Sequence, residues 1–163
     1  MIRGGGGFMS NISDIIEQYL KQILHGKGNN MIEIKRSEIA DLFQCVPSQI
    51  NYVINTRFTV ERGYITESKR GGGGYIRIIR IEHHEASELI DDIIKMINPS
   101  VTQQAALDVL DRLLEKEVIT EREKKIMQSA IERNTLSVPL PARDKVRARI
   151  LTAMLTTLKY LNK

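Results

Sequence analysis

Four consecutive glycines, Gly71–Gly74, follow Lys69 and Arg70 and stand between two runs that alternate like strands, Tyr64–Ser68 and Tyr75–Ile81. Four residues without a Cβ neither continue a helix nor pack a strand. A phosphate cradle of the kind that opens a helix needs a helix after the loop, and here a strand pattern follows. A plain linker would not separate two runs of matching strand period. The segment therefore reads as the tip of a β-hairpin, where backbone must approach a ligand closely and no side chain may stand in the way.

What precedes the hairpin narrows the fold. Ser10 and Asn11 are candidate N-caps for a helix whose apolar residues, Ile12, Ile15, Ile16, Tyr19, Leu20, Ile23 and Leu24, recur at helical spacing. Gly26, Gly28, Asn29 and Asn30 end it, and Ile32 and Ile34 alternate with Glu33 and Lys35 as a short strand. A second helix over Ser37–Phe43 is expected to bury Ile39, Leu42 and Phe43. Gln44–Val46 makes a turn, and Pro47 suits the first turn of a third helix that buries Ile50, Val53 and Ile54. Helix, strand, helix, turn, helix and hairpin in that order make a winged helix-turn-helix.

The third helix turns Ser48, Tyr52 and Asn55 away from its apolar side, flanked by Gln49, Asn51 and Thr56. A merely solvated face is usually rich in Glu and Lys. This one holds hydrogen-bonding residues and no carboxylate, chemistry suited to base edges and phosphates.

Charge agrees with that direction. Residues 1–80 hold 11 Lys/Arg against 7 Asp/Glu, while residues 81–163 hold 13 of each, so the net charge of +4 lies in the first half. A basic half joined to a neutral one suggests a polyanion-binding module on a partner with another task. Glu82–Glu85 lacks apolar periodicity and marks the boundary. Beyond it come four helical stripes: Leu89–Ile97, Ala106–Leu114, a helix capped by Thr120 and Glu123 that buries Ile126, Met127, Ala130 and Ile131, and a long last helix from Val146 to Leu161. Four helices in so few residues make a small core that gains from association, so a dimerisation domain is expected.

The fold class expected is thus α+β, a winged helix-turn-helix over residues 9–82 followed by an all-α four-helix domain over 85–163. Residues 1–8 read as an appended remnant outside the fold, the alternative being an arm that enters a groove. No run approaches a membrane span and no secretory signal opens the chain, so a cytoplasmic protein without membrane partners is expected. One cysteine, Cys45, excludes an internal disulfide and a multi-thiolate metal site. His83 and His84 are adjacent, so their side chains diverge, and His25 lies at a helix end. No catalytic constellation, cofactor site or metal site emerges, and an enzyme is not expected.

Three stretches then resemble the CtsR family, repressors of class III heat-shock genes in low-GC Gram-positive bacteria. They are Ile34–Asp41 (IKRSEIAD), Val46–Phe58 (VPSQINYVINTRF) and Lys69–Ile78 (KRGGGGYIRI), and the likeness runs from about Met9 to the C-terminus. The resemblance implies a homodimeric repressor of genes for the Clp protease and its chaperone ATPases, with a C-terminal dimerisation domain and a glycine-rich wing associated with heat sensing. It further implies control by a protein-arginine kinase with its activator, removal by Clp proteolysis, and a match of Arg70 to the wing arginine that binds DNA and is phosphorylated.

Candidate DNA contacts are Ser48, Gln49, Tyr52 and Asn55 on the recognition helix, and Lys69, Arg70, Gly71, Gly72, Gly73 and Gly74 on the wing. Lys35, Arg36 and Arg57 are candidate backbone clamps. Arg57 shares the angular position of Ile50, Val53 and Ile54, so a tie into the protein is its alternative role. Two rival classes are a ligand- or metal-responsive winged-helix regulator and an adaptor with no DNA role.

Overall fold

The computed structural model describes residues 11–26, 28, 30–69 and 74–161. They fall into two compact units divided between Glu82 and His83. The first opens with α1 (Ile12–Gly26), where the Asn11 side chain accepts from the Asp14 backbone N–H at 3.0 Å and caps the first turn. Ile16, Leu20 and Leu24, spaced four apart, are all but fully buried. β1 (Met31–Lys35) turns Ile32 and Ile34 inward and leads directly into α2 (Arg36–Phe43). Gln44 stops α2 in the left-handed region, φ 52°, and its N–H returns to Ala40 and Asp41 carbonyls. α3 (Pro47–Arg57) has proline in its first turn and buries Ile50, Val53 and Ile54.

β2 (Tyr64–Ser68) and β3 (Tyr75–Arg80) form the wing, with the sheet order β1-β3-β2, antiparallel throughout. Ile76 and Ile78 of β3 join Ile32 and Ile34 beneath α1–α3, where Phe58 and Tyr64 meet edge to face at 4.9 Å. Two expected core residues stand outside. Leu42 is 56% exposed because Ile39, Ala40 and Phe43 define the inner face of α2 and Leu42 lies on its flank, and Ile15 occupies the corresponding flank of α1.

The second unit comprises α4 (Ala86–Ile97), α5 (Gln103–Glu115), α6 (Glu121–Ile131), the one-turn α7 (Arg133–Leu136) and α8 (Ala142–Leu161). The four expected helices are present, and α7 is an addition. Thr120 and Glu123 close the capping box of α6 with bonds of 3.1 and 2.8 Å, and Thr102 caps α5. The core joins Leu89, Ile90, Ile93 and Ile97 to Leu110, Leu113, Leu151 and Leu155. Arg147, 1% exposed, lies among them. Its guanidinium donates to the Ile131 and Val101 carbonyls at 2.8 and 3.1 Å and to Asp144 at 2.6 Å. Ile131 ends α6, so a buried cation there satisfies an orphan carbonyl at the negative end of a helix.

α8 is apolar on two sides. Leu151 and Leu155 enter the core, while Ile150 and Met154 border the face next to α6. There an open groove of about 240 Å³ is lined by Glu123, Ile126, Met127, Met154, Thr157 and Leu158. Ile126, expected inside, is 60% exposed beside it, and Tyr160 and Leu161 at the end of α8 are exposed as well.

Candidate nucleic-acid interface

α3 carries no acidic residue, and its outer side presents Ser48, Tyr52 and Asn55 to solvent. Ile50, Val53 and Ile54 fix that orientation by occupying the core. Ser48 and Asn55 make no side-chain hydrogen bond among the described residues, so their polar atoms are open to a ligand. Thr56 bonds back to the Tyr52 carbonyl at 2.6 Å and is spent locally.

The structure withdraws several neighbours from that open face. Gln49 donates its side-chain amide to the Ser13 hydroxyl at 2.6 Å, so its donor end is engaged by α1. Asn51 accepts from Arg36 Nε at 2.6 Å, which leaves its Nδ2 end unengaged. Arg57 donates through Nη1 to Asp14 at 2.8 Å and to Glu17 at 2.7 Å. The hydrogen bond to Asp14 raises the guanidinium above its ordinary pKa, with Glu17 adding to it against the opposing pull of partial burial. The expected backbone clamp at Arg57 is accordingly revised to its alternative, a tie between α3 and α1. Its side-chain direction, about 20° around the helix from that of the buried Ile50, is the cause.

Arg36 is likewise bound within the protein, through three acceptors from three segments. Nε reaches Asn51 on α3, Nη2 reaches the Ser68 hydroxyl at 3.0 Å at the end of β2, and Nη1 reaches the Gly74 carbonyl at 3.1 Å. Gly74 has φ +69°, a backbone conformation that glycine adopts without strain. Lys35 lies 5.1 Å above the Tyr75 ring and 3.9 Å from Glu38.

On the wing, the Lys69 N–H donates to the Tyr75 carbonyl at 3.0 Å and extends the ladder by one bond, while the Lys69 side chain is exposed. Arg70, Gly71, Gly72 and Gly73 lie outside the described residues. Two residue pairs further from the tip, Arg77 sits between Glu33 at 2.9 Å and Glu67 at 3.3 Å, across the three paired strands. The hydrogen bond to Glu33 raises its guanidinium pKa. That triad sets two carboxylates around one guanidinium, a net charge of −1 in the middle of the outer sheet face, and the exposed Lys69 lies on the tip side of it.

Sequence reasoning thus placed the open residues of α3 and missed the partners of the closed ones. No local pattern links Arg36 to Asn51 or Gln49 to Ser13, since each pair is joined only by folding. Among the described residues, no three His, Cys, Asp or Glu side chains gather at metal-binding spacing.

A three-helix unit with a basic-tipped antiparallel wing and a carboxylate-free helix face defines a winged helix-turn-helix regulator of transcription. Comparison with known proteins makes the assignment particular. Residues 11–82 match the family model of the CtsR N-terminal HTH domain, and residues 85–156 match that of the CtsR C-terminal dimerization domain. The chain belongs to the CtsR family. It is 63% identical over 149 residues to the transcriptional regulator CtsR of Bacillus subtilis, covering 91% of this chain and 97% of that protein. It is 60% identical over 152 residues to that of Geobacillus stearothermophilus, covering 93% and 99%. A crystal structure of CtsR in complex with a 26bp DNA duplex superposes with a TM-score of 0.86 at 60% identity, covering 92% of this chain and 99% of that one. These relatives are regulators, not enzymes.

Proposed function

We propose that the chain is a homodimeric, sequence-specific repressor of class III heat-shock genes, among them those of the Clp protease and its chaperones. α3 enters the major groove and the wing approaches the backbone or the adjacent minor groove. The observation that carries this reading is the exposed face of Ser48, Tyr52 and Asn55, without a carboxylate, on the same unit as the exposed Lys69. The solved relative bound to duplex DNA supports it. Dimerisation is supported by the family description of residues 85–156 and by the uncovered apolar groove between α6 and α8.

Heat releases the repressor in this reading, and the glycine tip contributes without sufficing. Four glycines on each of two wings, at about 2 kcal/mol of ordering entropy apiece, amount to on the order of 16 kcal/mol, and 10 °C of warming adds only roughly 0.5 kcal/mol. Release steeper than that requires loss of enthalpic wing contacts too. Phosphorylation of Arg70 by a protein-arginine kinase with its activator switches binding off by placing negative charge against DNA, and the released protein passes to Clp proteolysis. The deciding experiment is a gel shift on a class III promoter fragment against scrambled DNA at 25–55 °C, with unmodified and arginine-phosphorylated protein. Selective binding lost on heating and on phosphorylation is expected, and equal affinity for both DNAs would refute the reading.

A further inference from the structure

Among the described guanidinium groups of its unit, Arg36 differs in what holds it. Arg57, Arg77 and Arg80 each lie within 2.9 Å of a carboxylate, and Arg62 lies 4.0 Å from Glu17. The hydrogen bonds of Arg36 go to three neutral acceptors, the Asn51 amide, the Ser68 hydroxyl and the Gly74 carbonyl. Two consequences follow. The fork spans the exposed edge of α3, the last residue of β2 and the glycine that leads into β3, so it ties the recognition helix to both strands at the root of the wing. Its charge is also not cancelled by any of these partners, so the junction keeps a fixed cation between the two parts that face DNA.

We propose that Arg36 is a positioning residue that makes α3 and the wing one recognition unit. This rests on the DNA-binding reading above. A planar guanidinium holds its donors at set angles, so three acceptors bonded to it are fixed relative to one another. A lysine keeps the charge but cannot span all three from one plane. Arg36 thereby sets where the ends of β2 and β3 lie when α3 is seated, and the wing contributes to selectivity without reading bases itself. Gly74 fits this role, because its left-handed backbone, φ +69°, places a carbonyl within reach of Nη1 in a conformation that side chains rarely adopt.

The test uses the full chain and fluorescence anisotropy on labelled promoter and scrambled duplexes across a salt series. Wild type, Arg36→Lys, Asn51→Ala, Lys69→Ala and the paired variants are compared, with circular dichroism reporting the fold. Arg36→Lys should lose about tenfold in promoter affinity, the scale of one or two charge-assisted hydrogen bonds, with its salt slope unchanged. Combined with Lys69→Ala it should lose less than the product of the two single losses, because a wing without its lysine has less to be positioned for. Asn51→Ala should weaken binding in the same direction, and Arg36→Lys should add little to it.

A simple phosphate clamp behaves otherwise. Arg36→Lys would then bind like wild type, or any loss it caused would multiply independently with that of Lys69→Ala. Either result overturns the proposal. Should Arg36→Lys not fold, the Asn51→Ala and Lys69→Ala pair decides alone, multiplicative losses again overturning it. A wild type that does not prefer the promoter removes the DNA-binding reading itself, whereas a selective wild type with an undiminished Arg36→Lys removes only the strut.

Discussion

Gln49 and Ser13 meet through a 2.6 Å hydrogen bond in which the Gln49 amide donates to a hydroxyl whose residue is 3% exposed. The bond fixes the first turn of α3 against α1, and it separates Gln49 from Asn55, whose side chain is open. The two substitutions should therefore leave opposite signatures. Gln49→Ala should cost about 1 kcal/mol of stability and weaken promoter and scrambled DNA alike. Asn55→Ala should cost about 1–3 kcal/mol on the promoter alone if it removes a bidentate bond to a base. Urea midpoints and paired binding isotherms distinguish them, and a promoter-selective loss in Gln49→Ala would return that residue to the reading face.

Arg57→Ala is expected to act on the fold. Glu17, with a side chain 9% exposed, would keep Lys21 at 2.9 Å but lose its 2.7 Å partner. A destabilisation of about 1–3 kcal/mol follows from a partly buried carboxylate stripped of one cation. The salt slope of DNA binding should not change. A slope flattened by about one would mean that Arg57 touches a phosphate after all.

Lys69 gives the complementary case. Its ammonium is exposed beside the wing tip, so Lys69→Ala should weaken all DNA similarly and flatten the plot of log K against log salt by about 0.9 for each phosphate that the lysine neutralises. Promoter-selective weakening with an unchanged slope would show that Lys69 does not bind a phosphate.

Dimerisation should depend on the groove between α6 and α8. Ile126→Glu or Met154→Glu places a charge on an apolar surface that a second copy would have to desolvate, and should weaken self-association tenfold or more, about 1.4 kcal/mol. Sedimentation equilibrium reads it. If wild type is a dimer and both variants associate as well as it does, the interface lies on another face.

Acid should loosen the second unit partly through Asp92. The hydrogen bond from His83, 2.7 Å away, holds the Asp92 carboxyl below its ordinary pKa against an opposing desolvation. A folded value below the unfolded one, about 3.9, contributes stability that is present above that pH and lost as pH falls through the depressed value. Asp92→Asn should thus lose less stability than wild type between about pH 5 and pH 2. Parallel urea midpoints across that window would show that the pair has no linkage to folding.

What could be read without coordinates was periodic or local. The inward isoleucines of α3 dictated which side of that helix faces out, Pro47 and the Thr120 and Glu123 box marked helix starts, and alternation on either side of the glycines drew the wing. Each signal spans a turn or two of chain, where spacing alone fixes which residues share a face. Leu42 and Ile126 escaped it because a residue on the flank of an apolar stripe is covered or bare according to what packs beside it.

Only the tertiary structure decided which polar residues are free. Arg36 meets Asn51 across 15 residues, Gln49 meets Ser13 across 36, and Arg147 meets the Val101 carbonyl across 46. No spacing rule reaches so far. Burial of apolar side chains follows from a repeated pattern, whereas a directional hydrogen bond depends on where two distant segments lie to within a few tenths of an ångström. The sequence by itself thus determined a helix that offers a polar face and a wing that offers a basic tip. The fold alone committed Gln49, Arg57 and Arg36 to the protein and left Ser48, Tyr52 and Asn55 facing outward.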